Sequence, residues 1–205
     1  MDAETPHIDV RAVQIGDAPA LHELDYSVET DRVYTLRVRD QLLQSDVYTQ
    51  PSTLPALAFE LAMAHVDVPI YRNFREYEST LEDVERKLSS VEGGYVALTD
   101  DRISGVILLN VEEARAVARI EDMIVGRQYR RYGIGSLLLN CASDWARKRG
   151  CWAIVLETQS FNYPAIQFYL RNGLQVWSIN QHFYPPGPLE HEVAILMGKK
   201  LRSTP

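Results

Sequence analysis

Cysteine is nearly missing from this chain: Cys141 and Cys151 are the only two among 205 residues. Both fall in apolar patterns without metal-type neighbour spacing, so they read as buried free thiols in a reducing compartment, the cytoplasm. Histidine is sparse as well, with five scattered residues and no pair at zinc-ligand spacing, and no metal site is expected. No apolar run reaches 18 residues, which argues against a spanning helix and a membrane partner. The first residues, Met1-Asp-Ala-Glu-Thr-Pro6, have neither a basic nor an apolar stretch, so a secretion signal is not expected. Positive charge is short too: 21 basic against 28 acidic residues give a net charge of −7. That disfavours a nucleic-acid binder, whose affinity rests on lysines and arginines meeting phosphate. It is compatible with a cationic acceptor such as an amine, although a modest negative charge is accounted for by solubility alone.

What is present is ordinary for a globular protein, with 46% hydrophobic and 24% charged residues and enough length to bury a core. Residues 7–13 alternate as a strand, and Asp17 is placed to cap a helix carrying Ala18, Leu21 and Leu24. Strands are expected over 32–38 and 59–73, with irregular or edge structure over 42–57 around Pro51 and Pro55. A charged helix over 77–88 precedes a hairpin, 95–99 with 103–111, turning at Asp100-Asp-Arg102. A strand over 116–125, a helix, a strand over 151–157, a second helix and strands near 174–179 and 192–197 complete the order. One α+β domain over 1–205 follows, a mixed sheet with helices on both faces, its ends 1–6 and 202–205 flexible.

The segment Arg127-Gln-Tyr-Arg-Arg-Tyr-Gly-Ile-Gly135 joins an apolar strand to an amphipathic helix with Ile134, Leu137, Leu138, Cys141, Ala142 and Trp145 on one face. A helix N-terminus carries unpaired amides and a partial charge of about +0.5 e, and so attracts phosphate. Gly133 and Gly135 let backbone approach a ligand, and Arg130 and Arg131 offer forked donors. One reading is a helix start with solvated arginines. Another is a dinucleotide turn, with Glu157 about 20 residues on, although Leu138 replaces its third glycine. The third is an acyl-CoA cradle.

The third rests on a resemblance. Arg130-Arg-Tyr-Gly133-Ile-Gly135 resembles the Gln/Arg-x-x-Gly-x-Gly/Ala signature of the GNAT superfamily of N-acyltransferases. Asn162-Tyr-Pro-Ala165-Ile-Gln-Phe-Tyr169 followed by Leu-Arg-Asn-Gly-Leu174 resembles that superfamily's next helix. Asn162 suits an N-cap, and Tyr169, seven residues on, projects from the same face. The resemblance implies a three-layer α/β arrangement around a mixed, mostly antiparallel twisted sheet. It implies acetyl-CoA as co-substrate, held by the main chain of Met123, Ile124 and Val125, by Arg130, Arg131, Gly133, Ile134, Gly135 and Ser136, and by Asn162 and Ala165.

An amine of pKa near 10.4 is only about four parts in 10⁴ neutral at pH 7, so deprotonating it costs roughly 4–5 kcal/mol. A nearby carboxylate supplies a route for that proton. Glu121 and Asp122 lie in the apolar strand before the cradle; alternation lets only one reach the acyl group, and the resemblance favours Glu121. It makes Tyr169 the acid for the leaving thiolate. Attack is taken as direct, in a ternary complex. Cys141 is not expected as an acyl carrier, because its place in the apolar stripe suggests burial, which raises a thiol's pKa. Residues 25–34 and the ending around Phe183-Tyr184 resemble the streptothricin acetyltransferase branch, which implies a small cationic amine acceptor and an acceptor mouth of Asp25, Glu29, Tyr184 and Glu190. A protein N-terminus as acceptor, a non-catalytic acyl-CoA-binding domain, and a homodimer stay open.

Overall fold

The computed structural model describes residues 6–41, 56–77, 80–187 and 189–201. The elements are β1 (Ile8–Ala12), α1 (Ala18–His22), β2 (Val28–Gln41), β3 (Ala56–Arg72), α2 (Leu81–Ser90), β4 (Gly93–Thr99) and β5 (Arg102–Glu112). Then follow β6 (Val117–Val125), α3 (Ile134–Lys148), β7 (Ala153–Gln159), α4 (Tyr163–Arg171), β8 (Gln175–Asn180) and β9 (Ala194–Lys200). The expected irregular stretch over 42–57 lies outside the described residues up to 55, and 56–57 begin β3; of the expected flexible ends, only Pro6 is described.

Seven strands form one sheet in the order β1-β4-β5-β6-β7-β9-β8. Every neighbouring pair is antiparallel except β6 with β7. β5 shows why the chain needs helices on both faces. Its Ile107 and Leu109 pack with α3 and α4, while Val106 and Leu108 pack with α1 and α2. A strand covered on both sides reads as a continuous apolar run, as Val106-Ile-Leu-Leu109 does. β2 and β3 pair only with each other, as a long ribbon.

Local chemistry sets several boundaries away from the expected ones. The charged helix starts at Leu81 because Thr80 and Asp83 form a reciprocal capping box. In the β4–β5 hairpin, Asp100 and Asp101 take φ of 47° and 64°, the left-handed pair a two-residue turn requires. The buried stripe of α3 runs through Leu138, Leu139, Ala142, Trp145 and Ala146, leaving Leu137 exposed and Cys141 half-buried. The stripe is wider than the expected one because a sheet face touches adjacent positions of each turn.

Asp17 does not cap α1. Its carboxylate takes both Arg11 guanidinium nitrogens at 2.8 and 2.7 Å and the Gln14 N–H at 2.8 Å. The Arg11 hydrogen bonds chiefly hold this carboxyl below its usual range. A depressed folded value means stability that is present above the ordinary carboxylate range and lost as pH falls through the depressed one. Asp17→Asn is therefore expected to cost about 1.5–3 kcal/mol at neutral pH and little in acid. Urea denaturation at both pH values checks this.

Candidate active site

β6 and β7 pair in parallel only through Val117–Ala153, Ala118–Ile154 and Arg119–Val155, yet both strands run on. On the other edge of β6, Ile120 stands opposite Leu109 and Asp122 opposite Leu108, so Glu121 is one residue too many. Such a bulge bends a strand and increases its twist. The two strands part beyond it, and a cleft of about 1350 Å³ opens through the sheet.

One wall is β6 itself. Gly126 N–H donates to Ser104 O at 2.9 Å, so by alternation Ile124 and Asp122 exchange their main-chain bonds with β5. The main chain of Met123 and Val125 is thereby turned toward the parted side. The Val125 carbonyl already accepts from Arg130 Nε at 3.1 Å. All three residues expected from the sequence line the cleft. Met123 and the Val125 N–H turn their main chain to the parted side, while Ile124 turns its main chain to β5. The Ile124 side chain packs among α1 and α2.

The start of α3 forms one mouth of the cleft. Its N-cap is Gly133, at φ 83°, with no side chain to satisfy the first turn. Ile134, Gly135 and Ser136 line the cleft there with Arg131, and their amides have no partner within the helix. Nothing would meet a Cβ on Gly133 within 4 Å, whereas one on Gly135 would stand 2.9 Å from Phe168 Cζ. Gly135 therefore serves the approach of α3 to α4, not only room for a ligand. Asn162 caps α4, its side-chain oxygen accepting Ala165 N–H at 3.4 Å, and both residues line the cleft.

At the centre, Tyr169 projects buried from α4 into the cleft. Burial first, then the charges of Asp122 and Glu157, push its phenol well above the ordinary value. Glu121 is exposed, accepting from Asn110 Nδ2 at 3.3 Å and lying 3.7 Å from Arg119 Nε. Asp122 pairs with Lys87 of α2; burial raises its carboxyl against the pull of that ammonium. The expected strict alternation fails at the bulge, and both Glu121 and Asp122 line the cleft.

Facing them from β7 is Glu157, which accepts a hydrogen bond from the Tyr184 hydroxyl. Burial pushes Glu157 up, opposed by that bond and by Arg119. From sequence, Glu157 enters only through the dinucleotide reading. The signal that singled out Glu121, an acid within an apolar strand, applies to it equally. The dinucleotide reading itself fails here, since it needs a parallel sheet and this one has a single parallel pair.

The four expected acceptor residues are not brought together. Glu29 lines the cleft and pairs with Arg127 at 3.0 Å. Tyr184 meets the cleft through Glu157. Asp25 is turned away: its carboxylate accepts Ser27 N–H at 2.9 Å and its carbonyl accepts Arg127 N–H at 2.6 Å. Glu190 lies on the surface beside His191 and Gly187, outside the cleft wall, because acidity near an aromatic in sequence does not fix which wall it joins. Neither cysteine lines the cleft. Among the described residues no group of three or more His, Cys, Asp or Glu is disposed to hold a metal ion, and no helix is long and apolar enough to cross a membrane.

The chain matches the family described as the acetyltransferase (GNAT) family over residues 61–174. It is 28% identical over 189 residues to streptothricin acetyltransferase of Streptomyces lavendulae, covering 91% of this chain and 92% of that protein. Among solved structures, nourseothricin acetyltransferase superposes with a TM-score of 0.74 at 25% identity, covering 95% and 99% of the two chains. A Bacillus anthracis protein in complex with acetyl coenzyme A superposes with a TM-score of 0.71 over the same shares, at 24% identity, a likeness of fold. The family match spans more than half of the chain and takes in β6, the cradle, β7 and the Tyr169 helix: the chain belongs to the GNAT family of acetyltransferases.

Proposed function

We propose that this acetyltransferase moves an acetyl group from acetyl-CoA to the primary amine of a small cationic, streptothricin-like acceptor, by direct attack in a ternary complex. The observation that carries the reading is the cleft itself. One mouth is an uncapped helix N-terminus, and its walls carry the phenol of Tyr169 and the carboxylates of Glu121, Asp122 and Glu157.

The residues fit acetyl-CoA. The amides of Ile134 to Ser136 and the Arg131 guanidinium suit a diphosphate, and the open main chain of Met123 suits an amide-bearing arm added like a strand. Acetyl-CoA supplies the activated acyl group. Tyr169 holds the proton that the departing thiolate needs. A carboxylate on the opposite wall takes the proton of the acceptor ammonium, and the acidic wall draws a cation in. Arg130 lines the cleft too, and its Nε ties the cradle to the end of β6 through the Val125 carbonyl. The named streptothricin and nourseothricin relatives support a small amine over a long peptide.

The test is thiol release from acetyl-CoA with streptothricin, lysine-like amines and peptides with free N-termini. Turnover with the small amines and thermal stabilisation by CoA rather than NAD are expected. Preference for the peptides would refute the small-amine reading in favour of a protein N-terminus. CoA stabilisation without thiol release from any amine would reduce the chain to an acyl-CoA-binding domain.

A further inference from the structure

We infer that Lys87 is itself an acetyl acceptor, modified in cis within its own cleft; the inference rests on the acetyl-transfer reading above. Lysine is scarce here, four among the 21 basic residues. Lys148 ends α3, and Lys199 and Lys200 lie at the end of β9. None of those three lines the cleft, and Lys87 does.

Three observations place the Lys87 amine where an acceptor's amine has to be. First, α2 packs Val84 and Leu88 against the sheet, and from this helix Lys87 reaches across to Asp122 of β6. Second, Asp122 directly precedes Met123, whose main chain faces the parted side of the sheet. Third, Lys87, Asp122, Met123 and Tyr169 all line the one cleft. A primary alkylammonium, a carboxylate and a phenol are the three components the transfer to an external amine requires. The Lys87 side chain is 32% exposed, so it is not packed beyond use.

The step balances. Lys87 passes a proton to Asp122, whose burial makes it a readier acceptor than a surface carboxylate. The neutral Nζ then forms its bond to the acyl carbon of the bound thioester, and the carbon–sulfur bond breaks. Of the two protons the ammonium loses, one ends on the departing thiol by way of Tyr169 and the other in solvent. The amide formed carries no charge, which strips Asp122 of its counter-ion. An external amine competes for the same space, so saturating acceptor is expected to protect Lys87.

The experiment incubates the full chain with acetyl-CoA and no acceptor, at two protein concentrations, and follows each lysine by peptide mass mapping. Turnover of an amine acceptor is measured in parallel. Lys87 is expected to gain one acetyl group at a rate independent of protein concentration. Positioning should make it on the order of 10²-fold faster than Lys148, Lys199 or Lys200. Lys87→Arg keeps a cation on Asp122 and should leave that peptide unmodified. The inference is overturned if Lys87 stays unmodified in a chain that turns over the acceptor. It is overturned equally if Lys87 reacts no faster than the other three, or in proportion to protein concentration. A chain that neither binds CoA nor acetylates any amine would overturn the acetyl-transfer reading and this inference with it.

Discussion

Tyr169→Phe should lower kcat by about 10² to 10⁴ while leaving CoA affinity unchanged. The substitution removes one oxygen. It keeps the ring, its edge-on contact with Phe168 at 5.3 Å, and its place in the core. The phenol is an unusual acid, because burial and two carboxylates push it above its ordinary value and keep it protonated throughout the working pH range. That does not spoil it as a donor. The same dry surroundings destabilise a departing thiolate and raise its affinity for a proton by the same mechanism. What matters is the difference between the two groups, and the shared penalty largely cancels from it. Calorimetry with CoA and steady-state kinetics separate the roles. A wild-type kcat in the phenylalanine variant would return Tyr169 to packing alone.

The parts of the site that are close in sequence were legible in it. The run from β6 through the arginine turn to α3 shows a strand period, then glycines, then a helical period, all local signals. So does Asn162 with Tyr169, two turns apart on one helix. The remainder depends on residues that meet only across the fold. Lys87 and Asp122 are 35 residues apart, and Tyr184 and Glu157 are 27 apart. No periodicity reports such pairs. The bulge at Glu121 is likewise silent in sequence, because an extra residue is defined only against its partner strand. That one residue undid the argument that Glu121 and Asp122 must face opposite ways. Gly135 was read for ligand room, and the packing of Phe168 against it was invisible until α4 lay beside α3.

The choice of base has the second large effect, and the cleft presents three carboxylates for the role. Glu121 is exposed and engaged with Asn110 and Arg119. Asp122 is engaged by Lys87. Glu157 stands on the opposite wall, mostly enclosed, with a carboxyl raised by burial. Glu157→Gln is accordingly expected to lower kcat at neutral pH by about 10² or more, with Glu121→Gln milder. The loss in Glu157→Gln should recover partly as pH rises and the amine deprotonates itself. A base must be ionised, so in the wild type activity falls as pH drops through a value above the usual carboxylate range. The Tyr184 hydroxyl donates to the ionised form of Glu157 and pulls that value down. Tyr184→Phe should therefore move the acid limb of the kcat profile to higher pH, a shift that a purely structural tyrosine would not cause. If Glu121→Gln shows the deep loss and alkaline recovery while Glu157→Gln does not, Glu121 is the base. If Asp122→Asn alone behaves so, the Lys87 pair shelters the working carboxylate instead.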